Sequence, residues 1–210
     1  MMLSKFRSDL ERFVDLDDPL SRPFVCNGSP LDCQIFIVGF NPARHLKKSF
    51  LNYWNDNTGF NKDQWLVDFY QQHNNARTRN VIERIANSAL QKVTLDTNIY
   101  WYPTSKARDL KEENKMTGGI KFLMRQIKPK VVFVHNNKAI EFFTKHCSAF
   151  DDHDEVNLQP VTWKDSKFAI EFEIGLLCSR GPLYRKGYGS AARIGQDLAH
   201  GLAKVFNRPG

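Results

Sequence analysis

Three short runs constrain this chain more than any other feature: Gln34–Gly39 (QIFIVG), Thr94–Tyr102, and Lys130–His135, which encloses Val-Val-Phe-Val. The first and third are continuous apolar stretches of strand length, the pattern of a strand buried on both faces. The second is rich in Thr, Ile, Tyr and Trp, and Pro103 closes it. The stretches between them have the helical period. Residues 62–72 and 76–91 read as helices, the second with Val81, Ile82, Ile85, Ala89 and Leu90 on one stripe. Thr117–Ile127, closed by Pro129, and Lys138–His146 are further helices. Ahead of the first strand, residues 4–16 form an amphipathic helix carrying Phe6, Leu10, Phe13 and Val14, stopped by Asp17-Asp18-Pro19, and 19–33 is a loop. Val156–Trp163 and Phe168–Leu177 flank a hairpin turn, and a Gly-rich loop, 179–189, leads into a last helix, 190–206. Buried strands alternating with helices predict an α/β fold: three α/β/α layers around a central, mainly parallel four-stranded sheet, in one domain over 1–210. Ligands in such sheets bind beyond the carboxyl ends of the strands. That directs attention to 39–60, 98–108, 135–139 and 178–189.

Composition narrows the class. The 210 residues are 41% hydrophobic and 25% charged, which excludes a disordered or collagen-like chain. The N-terminal stretch mixes charge into every turn and has no apolar core of signal-peptide length. No run approaches the ~18 apolar residues of a membrane span. A cytoplasmic monomer with no membrane partner is expected, nucleoid-associated if the cell is bacterial. Cys26, Cys33, Cys147 and Cys178 form no CxxC pair, so free buried thiols are expected, with no metal and no cofactor. The 30 Lys and Arg exceed the 23 Asp and Glu, a net charge of +7 that suits a nucleic acid or phosphate partner. Arg77, Arg79 and Arg84 share a helix with Glu83 and read as a solvated face. The acidic residues of 151–155 read as a solvent loop.

Three segments carry candidate chemistry. In Gly39-Phe40-Asn41-Pro42-Ala43, Gly turns the chain at a strand end, Pro fixes its exit, and the Asn41 amide is held at the sheet rim. Asn98 lies inside an otherwise apolar strand, where an amide is costly unless it finds partners. Cys178–Gly189 gathers glycines, two Tyr and three cations without a carboxylate, a composition that grips phosphates and offers an apolar tip to stacked bases.

These segments resemble the uracil-DNA glycosylase superfamily, in particular the mismatch-specific uracil- and thymine-DNA glycosylases. Gly39-Phe40-Asn41-Pro42 is similar to the family's first motif. Thr97-Asn98-Ile99 with Pro103-Thr104 is similar to the second-strand motif, and Ala107-Arg108-Asp109-Leu110 continues in that style. Tyr53-Trp54 with Gly59-Phe60 resembles the intervening aromatic pair and Gly-Phe, and Ile127–Phe133 the lead into the third strand. The likeness runs over roughly residues 22–145. The family's last motif, His-Pro-Ser or Asn-Pro-Ser-Gly, stands here as Cys178-Ser179-Arg180-Gly181-Pro182, and His135-Asn136-Asn137-Lys138 replaces a usual Gly after the third strand.

The resemblance implies a monofunctional hydrolase that flips a damaged or mismatched, uracil-type base out of DNA and cuts its N-glycosidic bond. Asn41 would place the attacking water. The backbone amide near Phe40, with Asn98 and Arg180, would stabilise the departing base. Tyr53 or Phe50 would floor the base pocket, with Ser179 and Arg180 in place of the last motif. DNA would be gripped by Arg44, Lys47 and Lys48 (with His45 beside them) on one loop, and by Arg180, Arg185 and Lys186 on the other. Leu183 or Tyr184 would wedge into the vacated stack. His135, at a strand end, is either catalytic or a hydrogen-bonded structural residue. The altered last motif supports an alternative: a member that binds nucleic acid or a nucleobase without cleaving it. A doubly wound nucleotide-binding enzyme is disfavoured, since no GxGxxG or GxxxxGK[ST] string occurs.

Overall fold

A computed structural model describes residues 2–74, 76–90, 93–104, 107–148, 158–180, 183–185 and 187–206. The elements follow in chain order as α1 (Leu3–Leu10), β1 (Phe24–Cys26), β2 (Ile35–Gly39), β3 (Trp54–Asn55), β4 (Gly59–Phe60), α2 (Lys62–Gln72) and α3 (Arg77–Ser88). Then come β5 (Thr94–Asn98), α4 (Gly118–Ile127), β6 (Val131–His135), α5 (Asn137–Thr144), β7 (Cys147–Ser148), β8 (Gln159–Asp165), β9 (Ile170–Ser179) and α6 (Tyr188–Phe206).

The fold is mixed α/β around a mostly parallel sheet, and the sheet is wider than the four strands expected. Among the described residues it has seven, in the order β1-β5-β2-β6-β9-β8-β7. The parallel part is β5, β2, β6 and β9. Three antiparallel strands extend it. β8 folds back on β9 through the expected hairpin, β7 adds to β8, and β1 borders β5. β1 lies within the stretch read as a loop, because three residues are too few to show a period.

Strand ends also differ from the reading. β5 stops at Asn98, not Tyr102. Beyond it the Ile99 and Tyr100 amides donate to the carbonyls of Gly39 and Phe40 (2.9 and 3.0 Å), folding the chain over the end of β2. α1 stops at Leu10 rather than 16, where the chain turns; the Asp15 carboxylate then takes the Asp17 amide at 2.9 Å. The expected acidic loop at 151–155 lies outside the described residues.

Side chains alternate across the parallel strands and so build two cores. Ile35, Ile37, Val131, Phe133 and Leu177 meet Val81, Ile82 and Ile85 of α3 and Ala191 and Leu198 of α6. Phe36, Val38, Leu95, Val132, Val134 and Leu176 are buried on the other side, with Phe6 and Leu10 of α1, Phe122 and Leu123 of α4 and Ile140 and Phe143 of α5. All four cysteines are buried, and none forms a disulfide. No helix among the described residues is long and apolar enough to cross a membrane.

Candidate active site

The register of the parallel strands brings their last residues into a row. Gly39 pairs with Asn98 across β2 and β5, and His135 with Ser179 across β6 and β9. Val38 faces Val134, so Gly39 also stands beside His135. Gly39 is needed here for space. A methyl group built on it would lie 2.7 Å from Asn98 Oδ1 and 2.9 Å from His135 Cε1, closer than atoms can approach. Asn98 and His135 therefore close over a position where only hydrogen fits.

Asp96, Asn98 and His135 form the sheet wall of a cavity of about 520 Å³ at these strand ends. The facing wall is the start of α3, with Arg77, Thr78, Arg79 and Ile82. Arg22, Asn41 and Arg44 come from loops, and Phe69 from α2. The volume lies in the ~300–1,000 Å³ range of small-molecule sites.

Asn41 is fixed by its amide nitrogen, which donates to Thr104 Oγ1 at 2.8 Å and to the Pro42 carbonyl at 3.2 Å. Oδ1, an acceptor, is then what Asn41 offers the cavity. Arg79 is buried and donates to Asp96 Oδ2 at 2.6 Å and Glu83 Oε1 at 3.1 Å. Glu83 also takes the buried Lys62 ammonium at 2.6 Å. Burial opposes the Arg79 charge, but the two carboxylates outweigh it and hold its pKa above the ordinary value. Burial pushes the His135 pKa down to about 4, with the Arg79 charge adding to it and the Asp96 charge opposing. Near neutral pH its imidazole is therefore uncharged, with one donor and one acceptor nitrogen.

No known protein-family model matches this chain, and no curated protein matches it significantly.

Of the described residues named from sequence, Asn41, Asn98, Arg44 and His135 line the cavity, and the others do not. Phe40 is buried edge-on against Tyr100, ring centres 5.1 Å apart. Phe50 and Tyr53 do not line this cavity; they border a smaller neighbouring one together with Arg22, Arg44 and Lys48. Phe50 is core, edge-on to Phe24 at 5.0 Å, and Tyr53 is buried with its hydroxyl donating to Asp68 at 2.8 Å. The cavity's aromatic wall is Phe69, stacked on Trp65 at 4.9 Å. Leu183 cannot wedge into DNA, since it is buried in the α3/α6 core. Ser179 is buried with no hydrogen-bond partner for Oγ, beside His135 but outside the cavity lining. Lys48 pairs with Asp68 at 2.8 Å, and Lys47 is exposed. Arg180 and Arg185 are described but do not line the cavity. Lys186 and the Tyr184 side chain lie outside the described residues. Among those residues no cluster of His, Cys, Asp or Glu could hold a metal.

The sequence reading missed Arg22, Asp96, Arg79 and Phe69. Two of them carried a signal. Asp96 stands two residues before Asn98 in the same strand, so it shares Asn98's face. Arg79 is three residues before Ile82 and seven before Ala86, on the apolar stripe of α3 rather than on a solvated face.

Proposed function

We propose that the protein is a DNA glycosylase that flips a uracil-type base into this cavity and hydrolyses its bond to deoxyribose. One observation carries the reading: Asn41 and Asn98, from the two stretches with a glycosylase-like pattern, share one cavity at the carboxyl ends of the parallel strands. Four parallel strands with helices on both faces suit the architecture that the resemblance implies.

The chemistry needs a placed water and donors for a departing base. Asn41 Oδ1 accepts a hydrogen bond from the water and aims its oxygen at the sugar's anomeric carbon. An amide is no base near neutral pH, so its contribution is placement. The carbon–nitrogen bond breaks through an oxocarbenium-like sugar, its electron pair goes to the base, and the water's proton ends in solvent or on the base. The Asn98 amide and the neutral His135 imidazole can each offer an N–H to the negative charge growing on the base. The resemblance puts an imidazole or amide after the final strand. Ser179 stands there instead, and its register partner is His135. In this reading the missing donor is supplied one strand over. Phe69 gives the flipped ring an apolar wall.

The second reading, recognition without cleavage, is favoured by one fact. Asp96 is the cavity's carboxylate among the described lining residues, and Arg79 holds it.

The test is incubation with labelled duplexes carrying uracil, a thymine mismatch, hypoxanthine or an oxidised pyrimidine, followed by alkali to cut abasic sites. Strand scission is expected with at least one of them. Asn41→Ala should reduce it about 100-fold or more while costing about 1 kcal/mol of stability from the lost Thr104 bond. DNA binding with no scission on any duplex would leave only the second reading.

A further inference from the structure

The charges behind the cavity do not balance. Lys62, Glu83, Arg79 and Asp96 form a closed chain, two cations against two carboxylates. Arg22 is a further cation against the same wall. Its guanidinium carbon lies 5.8 Å from the centre of the Trp65 ring, and that of Arg79 lies 4.8 Å from the same ring. Burial, then the Arg79 charge, push the Arg22 pKa down to about 10, and the attraction of Asp96 does not offset them. Its side chain makes one long hydrogen bond, 3.5 Å to the Arg44 carbonyl. Among the described residues no carboxylate pairs with Arg22, and none pairs with Arg44 or Arg77 on the same lining. Arg22 and Arg44 are half-buried and Arg77 is exposed; a cation partly out of water and without a carboxylate partner, as Arg22 is, favours an anion beside it.

The structure assigns to Arg22, with Arg44 and Arg77, a seat for the phosphate group of a nucleotide inside this cavity. Arginine's planar fork matches phosphate oxygens two at a time, and three guanidiniums without counter-charge suit a multiply charged oxyanion better than a single carboxylate. Space permits it, because a void of about 150 Å³ already admits benzene and this one is about 520 Å³. A base held at Asn98 and His135 would leave room for its own phosphate toward the arginines. The seat itself follows from the charge imbalance. Only the identity of the carrier, a nucleotide, rests on the glycosylase reading.

Thermal unfolding in inorganic phosphate, at constant ionic strength against chloride, tests the seat. The wild-type Tm should climb with phosphate concentration. Arg22→Gln should be at least as stable as wild type in chloride, since it removes the repulsion with Arg79, and its phosphate affinity should fall about tenfold or more. A merely structural Arg22 would give the opposite sign in chloride. Arg44→Gln, at a loop position, should weaken phosphate binding without threatening the fold. Equal phosphate responses in wild type and both variants would overturn the seat. Deoxyuridine 5′-monophosphate and a deoxyuridine oligonucleotide lacking terminal phosphates separate the two sources of the group. Stabilisation by the first assigns a free nucleotide, and stabilisation by the second alone assigns the strand backbone. Base excision with unchanged phosphate responses would remove the seat and keep the glycosylase. Arg22-dependent phosphate binding without excision would do the reverse.

Discussion

His135 shows how much one position in the sheet decides. It ends β6 beside Gly39, where burial keeps its ring neutral. Its pKa is lower folded, about 4, than the ~6.5 of a free imidazole, so as pH falls the unfolded chain takes up this proton first. The stability gained by keeping it neutral is complete above about pH 6.5 and is lost progressively toward pH 4. Tm measured from pH 7 to 4.5 should therefore drop more steeply for wild type than for His135→Gln, and parallel curves would refute the assignment. The residue that follows carries its own message. Asn136 has φ +84°, a conformation that favours glycine, and its side chain accepts from the Lys138 amide at 3.0 Å.

Elements meet at this site through charge as well as apolar packing. Lys62 belongs to α2, Glu83 and Arg79 to α3, and Asp96 to β5, so one chain of ion pairs joins two helices to the sheet. Asp96→Asn would leave Arg79 and Arg22 against the wall without the carboxylate between them. Removing one partner of a buried pair costs about 3–5 kcal/mol. Urea denaturation should show a loss of that order, partly recovered by adding Arg79→Met; a loss under about 1 kcal/mol would show that the chain does not hold the elements together. Legibility at this scale followed physical cause. α2 has the same bounds in sequence and structure, because an Asn61 cap, whose side chain takes the Gln64 amide at 3.1 Å, marks its start. β1 was illegible, since its three residues gain strand geometry only from pairing with β5. Asn41 and Asn98 could be found because Asn41 stands between Gly and Pro after a strand, and Asn98 is a polar residue in an otherwise apolar run, each in a recognisable string. Arg22 could not, because it lies in a Pro-bearing stretch and nothing local shows which wall it will face.

At the scale of the molecule the net charge of +7 has acquired places. Arg22, Arg44, Arg77 and Arg79 surround the cavity, while Lys48 is taken up by Asp68. A bound duplex would meet Arg44 and Lys47 on the loop that follows β2. Each phosphate neutralised releases counterions, so binding should weaken with salt by about 0.9 in log–log slope per contact. Replacing Arg44 and Lys47 together with Gln should flatten that slope by about 2, measured by fluorescence anisotropy with an undamaged duplex. An unchanged slope would show that Arg44 and Lys47 contact no DNA phosphate. The order of the sheet also sets an order in time. β1 leaves the ribosome before β2, yet among the described residues its strand partner is β5. Arg22, just ahead of β1, is anchored through its amide to the Trp101 carbonyl at 2.9 Å. Until residue 101 has been synthesised, a nascent chain offers the Arg22 amide no acceptor at Trp101, although its guanidinium can already meet Trp65 and the Arg44 carbonyl. The backbone that carries the unbalanced cation is therefore fixed only after the Asp96 wall that faces it exists.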